Sequence, residues 1–141
     1  MVNSFLNAVT KQLGTTFGTN YRYYVENIEQ NLTKPCFTID LLMPMERSKS
    51  PVQYDRTMPL VVHYFSDSKT NLKQDCYSMA EQIVDCLEYL PFKNTLIRGE
   101  NISWQIVDDV LQIFITYKFT TKKVRSEYNM EDLEHNEVHP L

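Results

Sequence analysis

The side chains able to do acid–base, nucleophilic or metal chemistry are few in this chain, and their spacing suits none of it. Its histidines are His63, His135 and His139. His63 stands between Val62 and Tyr64 in an alternating apolar run, which reads as a partly buried strand histidine with no triad around it. His135 and His139 lie at i, i+4, a spacing that would let both face one metal on a helix. In a charged terminus, two flexible ligands do not make a preformed site. Cys76 and Cys86 fall on one predicted helix and would sit about 15 Å apart at about 1.5 Å per residue, beyond disulfide reach. With Cys36 they form no CxxC pair, so they read as small buried hydrophobes in a reducing compartment rather than zinc ligands. No GxSxG elbow is present. The pair Asp108-Asp109 reads as a turn. Asp40, Glu46 and Lys49 match no spacing of a metal-dependent nuclease. With only 3 glycines, none closely spaced, phosphate-cradling loops are absent as well. The expectation is no catalytic residue, no metal and no cofactor.

Charge points the same way. The 141 residues carry a net charge of −4, which disfavours binding driven by phosphate neutralisation. The length suits one domain able to bury a core without staples. Half of the negative balance lies in residues 122–141, where Lys122, Lys123 and Arg125 give way to Glu127, Glu131, Asp132, Glu134 and Glu137. That sign change suits an arm meeting charges on a neighbour. Aromatics at 12% suit a β-rich core or a surface later covered by a partner. The N-terminus has neither a basic region nor a long apolar run, so no leader is expected, and no segment is long enough to span a membrane.

The elements follow from periodicity. Phe5, Leu6, Val9 and Leu13 predict a helix over 3–14, bracketed by Gly14 and Gly18. Tyr21, Tyr23 and Val25 predict a strand over 21–28. Pro35 opens a second strand, Pro35-Cys36-Phe37-Thr38-Ile39-Asp40-Leu41-Leu42, with Phe37, Ile39 and Leu41 on one face. The polar stretch 46–56 is expected to be a mobile loop. A third strand over 58–65 puts Leu60, Val62 and Tyr64 on one face. Cys76, Met79, Ala80, Ile83, Val84, Leu87 and Leu90 stripe a helix over 72–90, begun near Asn71 and stopped by Pro91. Short strand pieces at 95–98 and 102–107 flank a turn at Gly99-Glu100-Asn101, with Trp104 in the core. Leu111, Ile113, Ile115, Tyr117 and Phe119 then alternate in the cleanest strand of the chain. The order α-β-β-β-α-β-β predicts an α+β domain, one mainly antiparallel twisted sheet with two helices packed on one face. The domain is expected over 1–121, with a charged C-terminal arm over 122–141.

The ordered set of pieces resembles the phage tail terminator family of Gram-positive phages and phage-like particles. It comprises the N-terminal helix, the Tyr-rich strand, Pro35-Cys36-Phe37-Thr38-Ile39, Tyr54-Asp55-Arg56, Pro59 ahead of Leu60-Val61-Val62, Tyr64-Phe65, the helix end Cys86-Leu87-Glu88 and the strand 110–117. The resemblance spans about residues 3–120 and stops before the arm. It implies a virion structural protein made in the host bacterial cytoplasm, a homo-oligomeric ring of six subunits that caps the head-proximal end of the tail tube and stops its polymerisation. The implied partners are the tube protein, the head–tail connector and, in a contractile tail, the sheath. DNA would pass through the lumen unbound. A heterologous contact closes into a ring when the rotation per subunit is right, and an acidic balance suits a lumen where DNA slides.

Two regions are the expected contact surfaces. In 46–56 the candidates are Arg47, Lys49, Tyr54 and Arg56. In the arm they are Lys122, Lys123 and Arg125, with Tyr128, Leu133 and Val138 as apolar anchors. The alternative readings are another neck or head-completion protein, or, more distantly, a small enzyme or nucleic-acid-binding accessory factor.

Overall fold

The computed structural model describes residues 1–25, 32–123 and 136–140. Helix α1 (Val2–Phe17) buries Phe5, Leu6, Val9 and Leu13. It ends at Gly18, whose φ of 83° suits glycine and whose N–H donates to the Gly14 carbonyl. Strands β1 (Arg22–Tyr24), β2 (Cys36–Leu41), β3 (Met45–Ser48) and β4 (Gln53–Phe65) follow. Then come α2 (Leu72–Leu87), β5 (Tyr89–Phe92), β6 (Thr95–Val107), β7 (Val110–Lys123) and β8 (Asn136–Pro140). The sheet runs β1-β2-β4-β7-β6-β5, with β3 added to β4 and β8 added to β7. Among the described residues only the β1–β2 pair is parallel. The α+β class is as expected, and the sheet curls around the helices.

Every residue of β4 pairs with β7, from Gln53↔Lys122 to Phe65↔Val110. That register puts Met58, Leu60, Val62 and Tyr64 beside Tyr117, Ile115, Ile113 and Leu111 on one face, all of them buried. Phe37 and Ile39 extend this layer through β2, and Cys76, Met79, Ala80, Ile83 and Leu87 of α2 close it from above. The core is aromatic at both ends. Phe5 meets Phe92 and Tyr117 edge to face at 5.8 and 5.5 Å, while Tyr23 stacks on Phe37 at 5.5 Å.

Polar atoms in this core are placed where the chain changes direction. The Tyr117 hydroxyl donates to the Leu87 carbonyl as α2 ends, and the Gly99 N–H donates to the Glu88 carbonyl at 2.7 Å. The Tyr23 hydroxyl donates to Gly18 at 2.8 Å, tying the end of α1 to β1. The Asp75 carboxylate, in the first turn of α2, accepts from Tyr64 at 2.7 Å and from Ser66. A carboxylate there also suits the helix dipole. Asp75 thereby joins that helix to β4.

Four local expectations are corrected. The helix does not reach residue 90: α2 ends at Leu87, and Leu90 is buried as part of β5, with Pro91 inside that strand. An alternating strand residue here fell at a helical spacing. The stretch 46–56 is no loop, because β3 pairs with β4 from Met45↔Thr57 to Ser48↔Tyr54. The pieces at 95–98 and 102–107 are one strand with a bulge, in which Asn101 (φ 53°) and Ile102 together oppose Ile115. Trp104 is 41% exposed rather than core. The strand expected over 21–28 is described only as Arg22–Tyr24, and residues 26–31 lie outside the described ones. The Asp108-Asp109 turn is as expected: both residues have positive φ between Val107 and its partner Val110, as a two-residue type I′ hairpin requires.

A Tyr117→Phe variant leaves the Leu87 carbonyl buried without its donor. It should lower stability by about 1–3 kcal/mol, read by urea unfolding; an unchanged midpoint would contradict this role.

Candidate assembly surfaces

Hairpin β3–β4 is closed by main-chain and side-chain hydrogen bonds. Its tip is closed by N–H groups of Lys49 and Ser50 donating to the Gln53 carbonyl at 2.9 and 3.3 Å. The Ser50 hydroxyl accepts from the N–H groups of Val52 and Gln53. Arg56 is the strut of the hairpin. Buried to 9% exposure, it donates through Nε to Thr121 at 3.0 Å and pairs with Glu46 at 3.2 Å. One guanidinium therefore joins β3, β4 and β7, a geometry suited to its fixed fork of donors. On the opposite face, Asp55 pairs with Lys49 at 3.2 Å and accepts from Thr120 at 2.9 Å.

The expected contact residues thus divide. Arg47 is exposed opposite Asp55, and Lys49 is half exposed. Tyr54 is partly buried, pairs with Ser48, and its hydroxyl lies 3.4 Å from the Pro51 carbonyl. Arg56 faces inward. Lys122 and Lys123 lie in β7, paired with Glu137 and Asn136 of β8. Val138 is buried opposite Thr121. Residue 122 is therefore not where the sheet ends, and β8 lies along it. Arg125, Tyr128 and Leu133 lie outside the described residues.

Two apolar surfaces went unread in the sequence. Leu42, Met43 and Met45, leading into β3, are 42%, 84% and 67% exposed. Their signal was an apolar run that continues after β2 has ended at Leu41. The second is Tyr77 of α2 against Trp104 of β6, ring centroids 5.8 Å apart and both well exposed. The β6 bulge creates it, by bringing Trp104 opposite Ile113 on the helix side of the sheet. An aromatic on the polar face of α2 was the available signal.

Among the described residues no group of three or more His, Cys, Asp or Glu could hold a metal ion. All three cysteines are free and buried, and burial pushes each thiol up from its ordinary pKa. None is an activated nucleophile. An open groove of about 600 Å³ between α1 and β5 is lined by Lys11, Gln12, Thr15 and Lys93, with no acid–base pair among its lining. His63 stands near Asp40 at 3.8 Å, too far for a hydrogen bond, and burial lowers its pKa against the pull of that carboxylate. No helix is long and apolar enough to cross a membrane.

A family model described as phage tail terminator protein matches residues 4–129. The chain belongs to the phage tail terminator family, a family of structural proteins of the phage tail. The match continues past residue 120, where the resemblance was expected to stop. No curated protein matches the chain. A solved structure matches at 13% identity with a TM-score of 0.40, over 90% of this chain and 99% of that one.

Two predictions test this geometry. Arg56→Ala should cost about 1–3 kcal/mol by taking the Nε donor from the buried Thr121 hydroxyl and the ion-pair partner from the exposed Glu46, measured by chemical denaturation; a loss within error would remove Arg56 as the strut. Burial lowers the His63 pKa in the fold, so acidification through about 6.5 protonates the unfolded chain first and stability falls as pH falls. A His63→Phe variant should therefore lose less stability than the parent between about pH 7.5 and about pH 5; equal losses would contradict it.

Proposed function

We propose that this chain forms a ring, of six subunits, that caps the head-proximal end of the tail tube, ends its polymerisation and docks the tail to the head–tail connector. The family match over residues 4–129 carries the reading. The geometry supports it: a stiff hairpin projects one set of contacts, and exposed apolar side chains remain on both sides of the sheet. A growing tube ends in unsatisfied subunit surfaces, and a cap must match them on one face only. In a contractile tail the same ring would meet the last sheath layer. The lumen would pass DNA without binding it, which the net charge of −4 suits.

Of the contact residues, Arg47, Lys49 and Tyr54 are proposed to meet a neighbour directly. Arg56 would act by holding the hairpin in place. Lys122, Lys123 and Arg125, with Tyr128 and Leu133, are proposed to dock the arm on an adjacent protein. Val138 is proposed to anchor the end of that arm through β8, against its own sheet.

Removing the gene from a producing strain should give tails of abnormal length that lack heads. Full heads beside tails of normal length would instead identify a head-completion protein. Truncation to residues 1–125, which removes β8 as well as the arm, should reduce particle yield at least tenfold; normal yield would contradict the arm's role.

A further inference from the structure

The sheet is open on two sides. On one, β3 pairs only with β4 among the described residues, and its four residues are all exposed. On the other, β5 covers β6 only from Thr95 to Arg98, so the outer edge from Ser103 to Val107 has no strand partner among the described residues. Natural sheets protect such edges with charges, prolines or short strands. The β6 edge reads Ser103-Trp104-Gln105-Ile106-Val107, with neither charge nor proline.

The surroundings of the two edges are complementary. Beside β3 stand the exposed Met43 and Met45, with Arg47; the acids there, Glu46 and Asp55, are already paired with Arg56 and Lys49. Beside β6 stand Trp104 and Tyr77, and the acids are in excess. Asp108 and Asp109 follow the edge directly, and Glu81 lies one turn beyond Tyr77 on the α2 stripe that runs along β6, between the Tyr77–Trp104 contact and the Glu88–Arg98 pair. The bases there are Lys73 on that stripe and Lys69 ahead of α2, which line one pocket with Asp109.

We infer that the occupant of each edge is a second copy of this chain, joined head to tail: β3 of one copy adds to the 103–107 edge of β6 on the next, with Met43 and Met45 covering Tyr77 and Trp104. Main-chain hydrogen bonds across such a junction supply affinity, and the apolar and charged side chains set direction. The two edges differ, so the contact is heterologous and repeats around a ring or along a filament. The edges stand on the fold alone; their closure into a ring rests on the function proposed above.

The test uses two exposed double variants of the full chain, Met43→Ser with Met45→Ser, and Tyr77→Ser with Trp104→Ser. Light scattering over a concentration series reads the assembly, and urea unfolding midpoints check that both variants fold. The parent should assemble beyond dimers, and each variant alone should weaken assembly at least tenfold in concentration. Mixed in equal amounts, the two variants should stop at heterodimers, because only one intact edge of each remains. Undiminished assembly of either variant, or a mixture no different from its components, overturns the head-to-tail contact and leaves the ring reading standing. A parent that stays monomeric throughout also overturns the edge contact, while the capping role is judged separately by tail length in the deletion strain.

Discussion

The β4–β7 pairing is the constraint on which everything else in this fold rests. All of β4 lies in register against β7, and a slip by one residue would turn Met58, Leu60, Val62 and Tyr64 out of the core. Both helices pack into the layer this ladder creates. Because the ladder runs on to Gln53↔Lys122, it also carries β3 and β8 on its far half. The fold and the surfaces proposed for assembly therefore share one backbone element. Arg56 sits where the two meet, at the point where the apolar stripe of β4 ends and a polar layer of Glu46 and Thr121 begins.

Legibility in the sequence followed burial. Strand β7 was read directly because Leu111 to Phe119 alternate against a one-sided core. The Asp108-Asp109 turn was read from turn chemistry, and α1 from its stripe. The misreadings have physical causes. Hairpin β3–β4 lacks an alternating apolar face: β3 is fully exposed, so its strand character comes from pairing with β4, and composition registers only a polar stretch. Leu90 fell at a helical spacing from Leu87, although the chain had already turned into β5. The bulge at Asn101 cannot be seen in composition, and it decides that Trp104 meets Tyr77 at the surface.

The candidate surfaces were partly legible for the same reason. Arg47 and Lys49 were found by their charge in a polar stretch and do face outward. Arg56 was grouped with them by composition, while its burial depends on the reach of β7 beneath it, a long-range fact. Met43, Met45, Tyr77 and Trp104 were missed because apolar residues are ordinarily assigned to the core first. Their exposure on opposite sides of one sheet is a property of topology. The packing of Cys36, Cys76, Cys86 and His63 was legible, since each reads as a packed side chain and is found as one.

What ties these observations together is a small domain whose inner face is committed to its own stability and whose edges are proposed to meet neighbours. The most direct measurement is a cryo-electron microscopy reconstruction of the head-proximal end of the tail particle. The account predicts a closed ring of this chain seated on the last layer of the tube, with its hairpins turned toward neighbouring subunits. Finding the chain at the distal tip, inside the head, or absent from the particle would contradict it.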